Sequence, residues 1–263
     1  MDATLQNGVL LAYRMVLRTG LLDTSWGYFA FERCYDLYKA RLEAGSLAHV
    51  RPFVVEGSTA VDVGAHVGFF TERFARWVGA EGHVVAIEPE PINYGRLCRR
   101  LQRTRLAARV TPFNLAATEA AGSFRLRVDP DHPGDHQLAA DGLAVAGETL
   151  DGILARGHWP PVSMVKLDIQ GAEVRALAGA AETIERFRPT LLVEVDGLRL
   201  KRQGSSAAEL FDSLAAKGYS PCQLTNRGVS RVLAVGDALR LAEATARYAD
   251  FLFVQPRRAA APV

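Results

Sequence analysis

The chain has 263 residues, 49% hydrophobic and 23% charged, which suits one large domain or a domain with a small cap. Its 31 basic and 29 acidic side chains leave a net charge of +2, so there is no electrostatic case for a nucleic-acid partner. Three scattered cysteines, Cys34, Cys98 and Cys222, fit neither a metal site nor a redox pair and point to free thiols in a reducing compartment.

The first 50 residues repeat apolar positions at helical spacing, with Leu10, Tyr13 and Leu17 followed by Phe29, Phe31, Tyr35 and Tyr38. Two or three helices are expected here as a cap over the remaining chain. The apolar run from Val9 to Leu17 is broken by Arg14 and is too short to span a bilayer. It also lacks the marks of a signal peptide, so no membrane partner is expected and the cytoplasm is the expected location.

From Thr59 the rhythm becomes strand, turn, helix. Ala60 to Val63 reads as a strand, Phe69 to Val78 as a helix and His83 to Ile87 as a second strand stopped by Glu88-Pro89. Ile92 to Leu101 is a helix and Val110 to Ala117 a third strand. Residues 118 to 149 interrupt the pattern with an alternating stretch at Phe124 to Val128 and a turn-rich loop from Asp129 to His136. Ser163 to Asp168, Thr190 to Val195, Tyr219 to Leu224 and Phe251 to Gln255 read as further strands. The intervening helices span Ala172 to Phe187 and Ser205 to Lys217, and residues 257 to 263 read as a disordered tail. Such alternation predicts a Rossmann-like, doubly wound α/β domain over residues 51 to 256 with a mostly parallel sheet.

The strongest local signal is Asp62-Val63-Gly64-Ala65-His66-Val67-Gly68, between a strand and a helix. Ligands of open α/β sheets sit outside the carboxyl ends of the strands, where this turn is expected. It lacks the Lys-Ser/Thr of a P-loop and the G-x-G-x-x-G of a dinucleotide site. A carboxylate at Asp62 and the absence of any Lys or Arg suit S-adenosylmethionine, which carries a sulfonium cation and no phosphate. Glu88, at the end of the next strand, is placed to accept hydrogen bonds from ribose hydroxyls.

A second cluster, Lys166-Leu167-Asp168-Ile169-Gln170-Gly171-Ala172-Glu173, lies at another strand-to-helix junction. Lys166 and Asp168 share a face because strand side chains repeat every two residues. Glu173 opens the following helix, where negative charge is favoured, and a structural ion pair between Lys166 and Glu173 is expected.

Taken together, these motifs resemble the FkbM family of S-adenosylmethionine-dependent methyltransferases. The carrying residues are the Asp62 to Gly68 loop, Glu88-Pro89, Glu148-Thr149-Leu150-Asp151, Lys166-x-Asp168-x-x-Gly171-x-Glu173, and Pro189 leading into Glu194. Gly134-Asp135-His136-Gln137 is similar to a segment of some members, and His66 stands where Asn is usual. The resemblance covers about residues 55 to 200 and implies a seven-stranded methyltransferase-type sheet and O-methylation of a small molecule, sugar or natural-product scaffold. By that analogy Asp62, Gly64, Ala65, His66, Gly68, Glu88, Pro89 and Asp168 bind the cofactor, with Asn114 and Ala116 near its adenine.

Methyl transfer to oxygen is an in-line displacement, helped by a base that removes the hydroxyl proton. His136 and Asp168 are the candidate bases, with Lys166 and Glu173 beside them. A divalent ion held by Asp168 and Glu194 is a less favoured possibility. Six arginines, Arg96, Arg99, Arg100, Arg103, Arg105 and Arg109, crowd one helix and its exit and read as a solvated surface. Two alternatives share the loop logic: an NAD(P)-dependent oxidoreductase, and a non-catalytic nucleoside-binding protein. Acceptor identity and oligomeric state stay open.

Overall fold

The computed structural model describes residues 46–129, 136–245 and 248–255. Residues 46–50 are helical, and the rest of the expected N-terminal cap lies outside the described residues, as does the C-terminal tail. The main sheet begins with β1 (Thr59–Val63), followed by α1 (Phe69–Trp77), β2 (His83–Ile87), α2 (Pro91–Arg103) and β3 (Val110–Phe113). After the interruption come α3 (Leu150–Leu154), β8 (Val162–Leu167), α4 (Glu173–Ala178), α5 (Ala181–Phe187) and β9 (Thr190–Val195). The chain continues through α6 (Gly197–Arg202), α7 (Ala207–Ala216), β10 (Ser220–Thr225), β11 (Gly228–Val229), α8 (Val235–Ala244) and β12 (Ala249–Val254).

The strand order is β11-β10-β12-β9-β8-β1-β2-β3. Strands β3, β2, β1, β8 and β9 are parallel neighbours, whereas β12 runs antiparallel between β9 and β10. The sheet thus has eight strands where seven were expected, the two-residue β11 lying at one edge. Every residue of β1 is buried, as befits a central parallel strand covered on both faces.

The two faces separate cleanly by the two-residue period. Val61, Val63, Val165, Leu167, Leu191 and Val193 turn to a core completed by Leu150, Ile153, Ile184, Leu210 and Phe211. Ala60, Val84, Ala86, Met164 and Leu192 turn to the opposite core, with Phe74, Leu97 and Leu101 of α1 and α2. Burying each large apolar side chain contributes about 1.5–3 kcal/mol. Asp62 and Lys166 lie on this second face, and they are register partners across β1 and β8.

Within residues 116–148 the described strands form a second sheet, and most of the expected turn-rich loop from Asp129 to His136 lies outside the described residues. The second sheet contains β4 (Ala116–Ala117), β5 (Gly122–Arg127), β6 (Gln137–Ala139) and β7 (Leu143–Glu148), in the order β4-β7-β5-β6. Thus the expected third strand ends at Phe113, and Ala116 belongs to the smaller sheet. This sheet is tied to the main domain by Glu119, whose two carboxylate oxygens accept from Arg175 Nε at 2.7 Å and Nη2 at 2.8 Å. Gln203 Nε2 adds a hydrogen bond to the Leu138 carbonyl at 2.7 Å.

The single helix expected from Ala172 to Phe187 is two helices. The break is occupied by α3: the Asp151 amide donates to the Gly179 carbonyl, and the Asp151 carboxylate caps α5 through the Glu182 and Thr183 amides.

Candidate functional site

The Asp62–Gly68 turn leaves β1 with Gly64 at φ +80°, His66 at +51° and Gly68 at +89°. Gly64 is required by close approach as well as by φ, because a Cβ there would overlap the backbone carbonyl of Asp168. Four of the turn's amides are hydrogen-bonded within the protein. Gly64 and Ala65 both donate to the Ile87 carbonyl at 3.0 Å, Gly68 donates to Ala65, and His66 donates to Glu88 Oε2 at 2.8 Å.

Glu88 is buried and also accepts the Glu90 amide through Oε1 at 3.0 Å. Burial outweighs these hydrogen bonds and pushes its carboxyl up to about 7. Pro89 leads into Glu90, whose carboxylate caps α2 by accepting from Ile92 and Asn93. Asn114 donates from Nδ2 to the carbonyls of Glu88 and Pro89, at 2.9 and 3.0 Å. Ala116, expected beside an adenine, instead packs with Leu126 and Val145 in the core of the smaller sheet.

Asp62 is fully buried. Its Oδ2 accepts from Thr71 Oγ1 at 2.6 Å, and its Oδ1 lies 3.5 Å from Lys166 Nζ. Burial raises the Asp62 carboxyl above its usual range, against the pull of Lys166. Lys166 also sits 3.4 Å from Asp168 Oδ2 and 4.7 Å from the centre of the Phe70 ring. The expected Lys166–Glu173 ion pair is corrected here: Lys166 bridges Asp62 and Asp168 instead. Glu173 turns inward, and its Oε1 accepts the amides of Ile169 and Gly171, both at 3.2 Å. Burial pushes the Glu173 carboxyl up to about 7.

A small cleft opens over the carboxyl ends of β8 and β9. Lys166, Asp168, Glu194, Tyr248 and Asp250 give it polar walls, while Phe70, Leu192 and Leu224 supply apolar ones. Glu194 and Asp250 face each other in register across β9 and β12. Tyr248 and Asp250 escaped the sequence reading, because only strand pairing brings the start of β12 beside the end of β9.

Of the four proposed catalytic side chains, Lys166 and Asp168 line this cleft, and Glu173 lies buried behind it. His136 stands against the start of α2, with Nε2 at 3.3 Å from Asn93 Nδ2 and Nδ1 accepting the Asp129 amide at 3.4 Å. Asp168 and Glu194 share the cleft, yet no group of three or more His, Cys, Asp or Glu suited to a metal ion occurs among the described residues. No helix among those residues is long and apolar enough to cross a membrane.

Comparison with known proteins bears on this geometry. The family model described as "Methyltransferase FkbM domain" matches residues 62–221, more than half of the chain. Methyltransferase sdnD of Sordaria araneosa is 24% identical over 57% of this chain and 66% of its own length. Hexuronic acid methyltransferase AglP of Haloferax volcanii is 24% identical over 47% of this chain and 50% of its own. The matches thus span between half and two thirds of those relatives. A solved FkbM methyltransferase from Methylobacillus flagellatus KT aligns with a TM-score of 0.49 at 21% identity, covering 76% of this chain and 44% of that one. With its motif residues gathered at the carboxyl ends of the central strands and its family model matched across them, this chain belongs to the FkbM methyltransferase family.

Proposed function

We propose that the protein transfers a methyl group from S-adenosylmethionine to a hydroxyl of a small molecule or sugar. The observation that carries this reading is the state of the Asp62–Gly68 turn. Four of its amides are already hydrogen-bonded within the protein, and two carboxylates, Asp62 and Glu88, stand behind it. A pyrophosphate needs open amides or cations at such a turn. A sulfonium nucleoside needs neither, and favours nearby negative charge. The same feature weighs against an NAD(P)-dependent oxidoreductase.

Asp62, Gly64, Ala65, His66, Gly68, Glu88, Pro89 and Asn114 would hold the cofactor at this corner. When bound, it supplies an electrophilic methyl carbon. The chain's own residues orient the acceptor and accept its proton. The cleft beside Asp168 combines an aromatic and aliphatic wall with carboxylates, which fits a ring bearing hydroxyls. Asp168 takes the hydroxyl proton as the oxygen lone pair forms the new O–C bond and the S–C bond breaks. A positioned base of this kind contributes about 10²–10⁴-fold. Lys166 keeps Asp168 anchored and balances the negative charge shared with Asp62. His136, held against Asn93, is assigned to the cofactor side rather than to proton transfer. The name of AglP supports a sugar among the acceptor classes.

The test is calorimetric titration with S-adenosylhomocysteine and with NAD. Binding of the first, weakened in Glu88→Ala, is expected. Binding of NAD alone would reverse the assignment.

A further inference from the structure

Behind the cleft, the loop 168–172 is folded in a way that packing alone does not explain. Gln170 has φ +59°, a left-handed conformation that costs a non-glycine residue roughly 1–2 kcal/mol. The loop is wedged between two backbones. A side chain on Gly64 would overlap the Asp168 carbonyl, and one on Gly171 would overlap the Arg199 carbonyl. The amides flanking Gln170 converge on a single oxygen, Glu173 Oε1. Successive amides around a left-handed residue form a small anion-binding concavity, and here the chain supplies the carboxylate itself.

Two details show what this arrangement does. The turn at Gln170 returns its side chain to the strand end, where Nε2 donates to Asp168 Oδ1 at 3.0 Å. Lys166 lies beside the other oxygen, Oδ2, at 3.4 Å. Asp168 is therefore held at both carboxylate oxygens. Meanwhile Glu173 Oε2 is buried without a hydrogen-bond partner. A buried carboxyl is an expensive way to fill space, and an apolar residue of similar volume is often neutral or better for stability.

We propose that Glu173 and Gln170 are positioning residues, forming a relay from Glu173 through the left-handed turn to Gln170 Nε2 and on to the Asp168 carboxylate. The relay rests on the reading above, in which Asp168 serves the acceptor hydroxyl. It also places Glu173, a candidate catalytic residue from its sequence motif, out of contact with the reacting groups.

Gln170→Ala removes the side-chain contact and leaves the Glu173 contacts in place. Glu173→Gln keeps an acceptor oxygen for the two amides, and Glu173→Ala removes it. Crystal structures give the first readout. In Gln170→Ala and Glu173→Ala the Asp168 carboxylate is expected to leave its place beside Lys166, while Glu173→Gln largely keeps it. Labelled-methyl transfer into a small-molecule extract of the source organism gives the second. Gln170→Ala is expected to lose about tenfold to a hundredfold in rate, with S-adenosylhomocysteine affinity and melting temperature unchanged. In an Asp168→Asn background it should cost nothing further.

An Asp168 carboxylate that stays in place in Gln170→Ala, or an equal loss of rate in the Asp168→Asn background, would overturn the relay. If Glu173→Ala fails to fold, Gln170→Ala decides alone. Absence of any transfer by the wild-type chain would count against the methyltransfer reading, and the crystal structures would still decide the relay.

Discussion

Replacing Gly64 by alanine tests how tightly the cofactor turn and the Asp168 loop are joined. Two costs add at this position. The backbone has φ +80°, which penalises any side chain by ~1–2 kcal/mol. The new Cβ would also overlap the Asp168 carbonyl oxygen, with the carbonyl carbon only 3.0 Å away. Both are backbone atoms, so relief requires moving β1 or β8 and costs a further ~1–3 kcal/mol. The sum is ~2–5 kcal/mol, out of the ~5–15 kcal/mol that holds a typical domain folded. Gly57 provides the control, since it has φ +76° with nothing within 4 Å of a Cβ. Gly57→Ala should cost only the first component. Urea unfolding of both variants separates the two costs, and titration with S-adenosylhomocysteine shows whether the turn still binds. Equal destabilisation of the two variants, with undiminished binding by Gly64→Ala, would refute the close approach of the two turns.

Lys166→Met leaves Asp62 buried without its countercharge, so it should destabilise the chain by about 3–5 kcal/mol. Adding Asp62→Asn should recover much of that, and denaturant midpoints of the single and double variants check it. Glu88 and Glu173 carry a pH signature. Each releases its proton near 4.5 when unfolded and near about 7 when folded. The folded state therefore binds more protons between those values, and stability falls as pH rises through the window. The contribution is ~3 kcal/mol for each group, and unfolding of Glu88→Gln and Glu173→Gln between pH 4.5 and 7.5 should show a flatter profile than wild type. Glu72→Ala removes the ion pair to Arg100, whose side chain is 3% exposed, and should cost roughly 1–3 kcal/mol, measurable by thermal unfolding.

Much of the main sheet was legible because parallel strands buried on both faces read as short apolar runs. Ala60–Val63, His83–Ile87 and Thr190–Val195 are found as strands essentially where their composition places them. The Asp62–Gly68 turn was legible for a related reason, since its glycines mark backbone that must turn tightly or approach another segment. The second sheet was legible only in β5, which the alternation at Phe124 to Val128 marks, whereas β7 carries the small residues Ala144, Ala146 and Gly147 and gives no such signal. Helix α8 also passed unnoticed, its apolar positions being interleaved with Gly236, Asp237, Arg240 and Glu243.

In the site itself, sequence spacing correctly put Lys166 and Asp168 on one face but could not choose the partner of Lys166. Proximity along the chain suggested Glu173, whereas strand register supplies Asp62. The pairing of Glu194 with Asp250 was hidden for the same reason, because 56 residues separate two side chains that β9 and β12 bring face to face.

Methyl-labelled S-adenosylmethionine, incubated with the chain and a small-molecule extract of its source organism, probes the proposed chemistry directly. Label should appear in a base-stable ether on a hydroxyl-bearing compound, and Asp168→Asn should lower its rate by about 10²–10⁴-fold. Label on nitrogen or carbon, or transfer that proceeds equally well without the Asp168 carboxylate, would contradict an O-methyltransferase built around that residue.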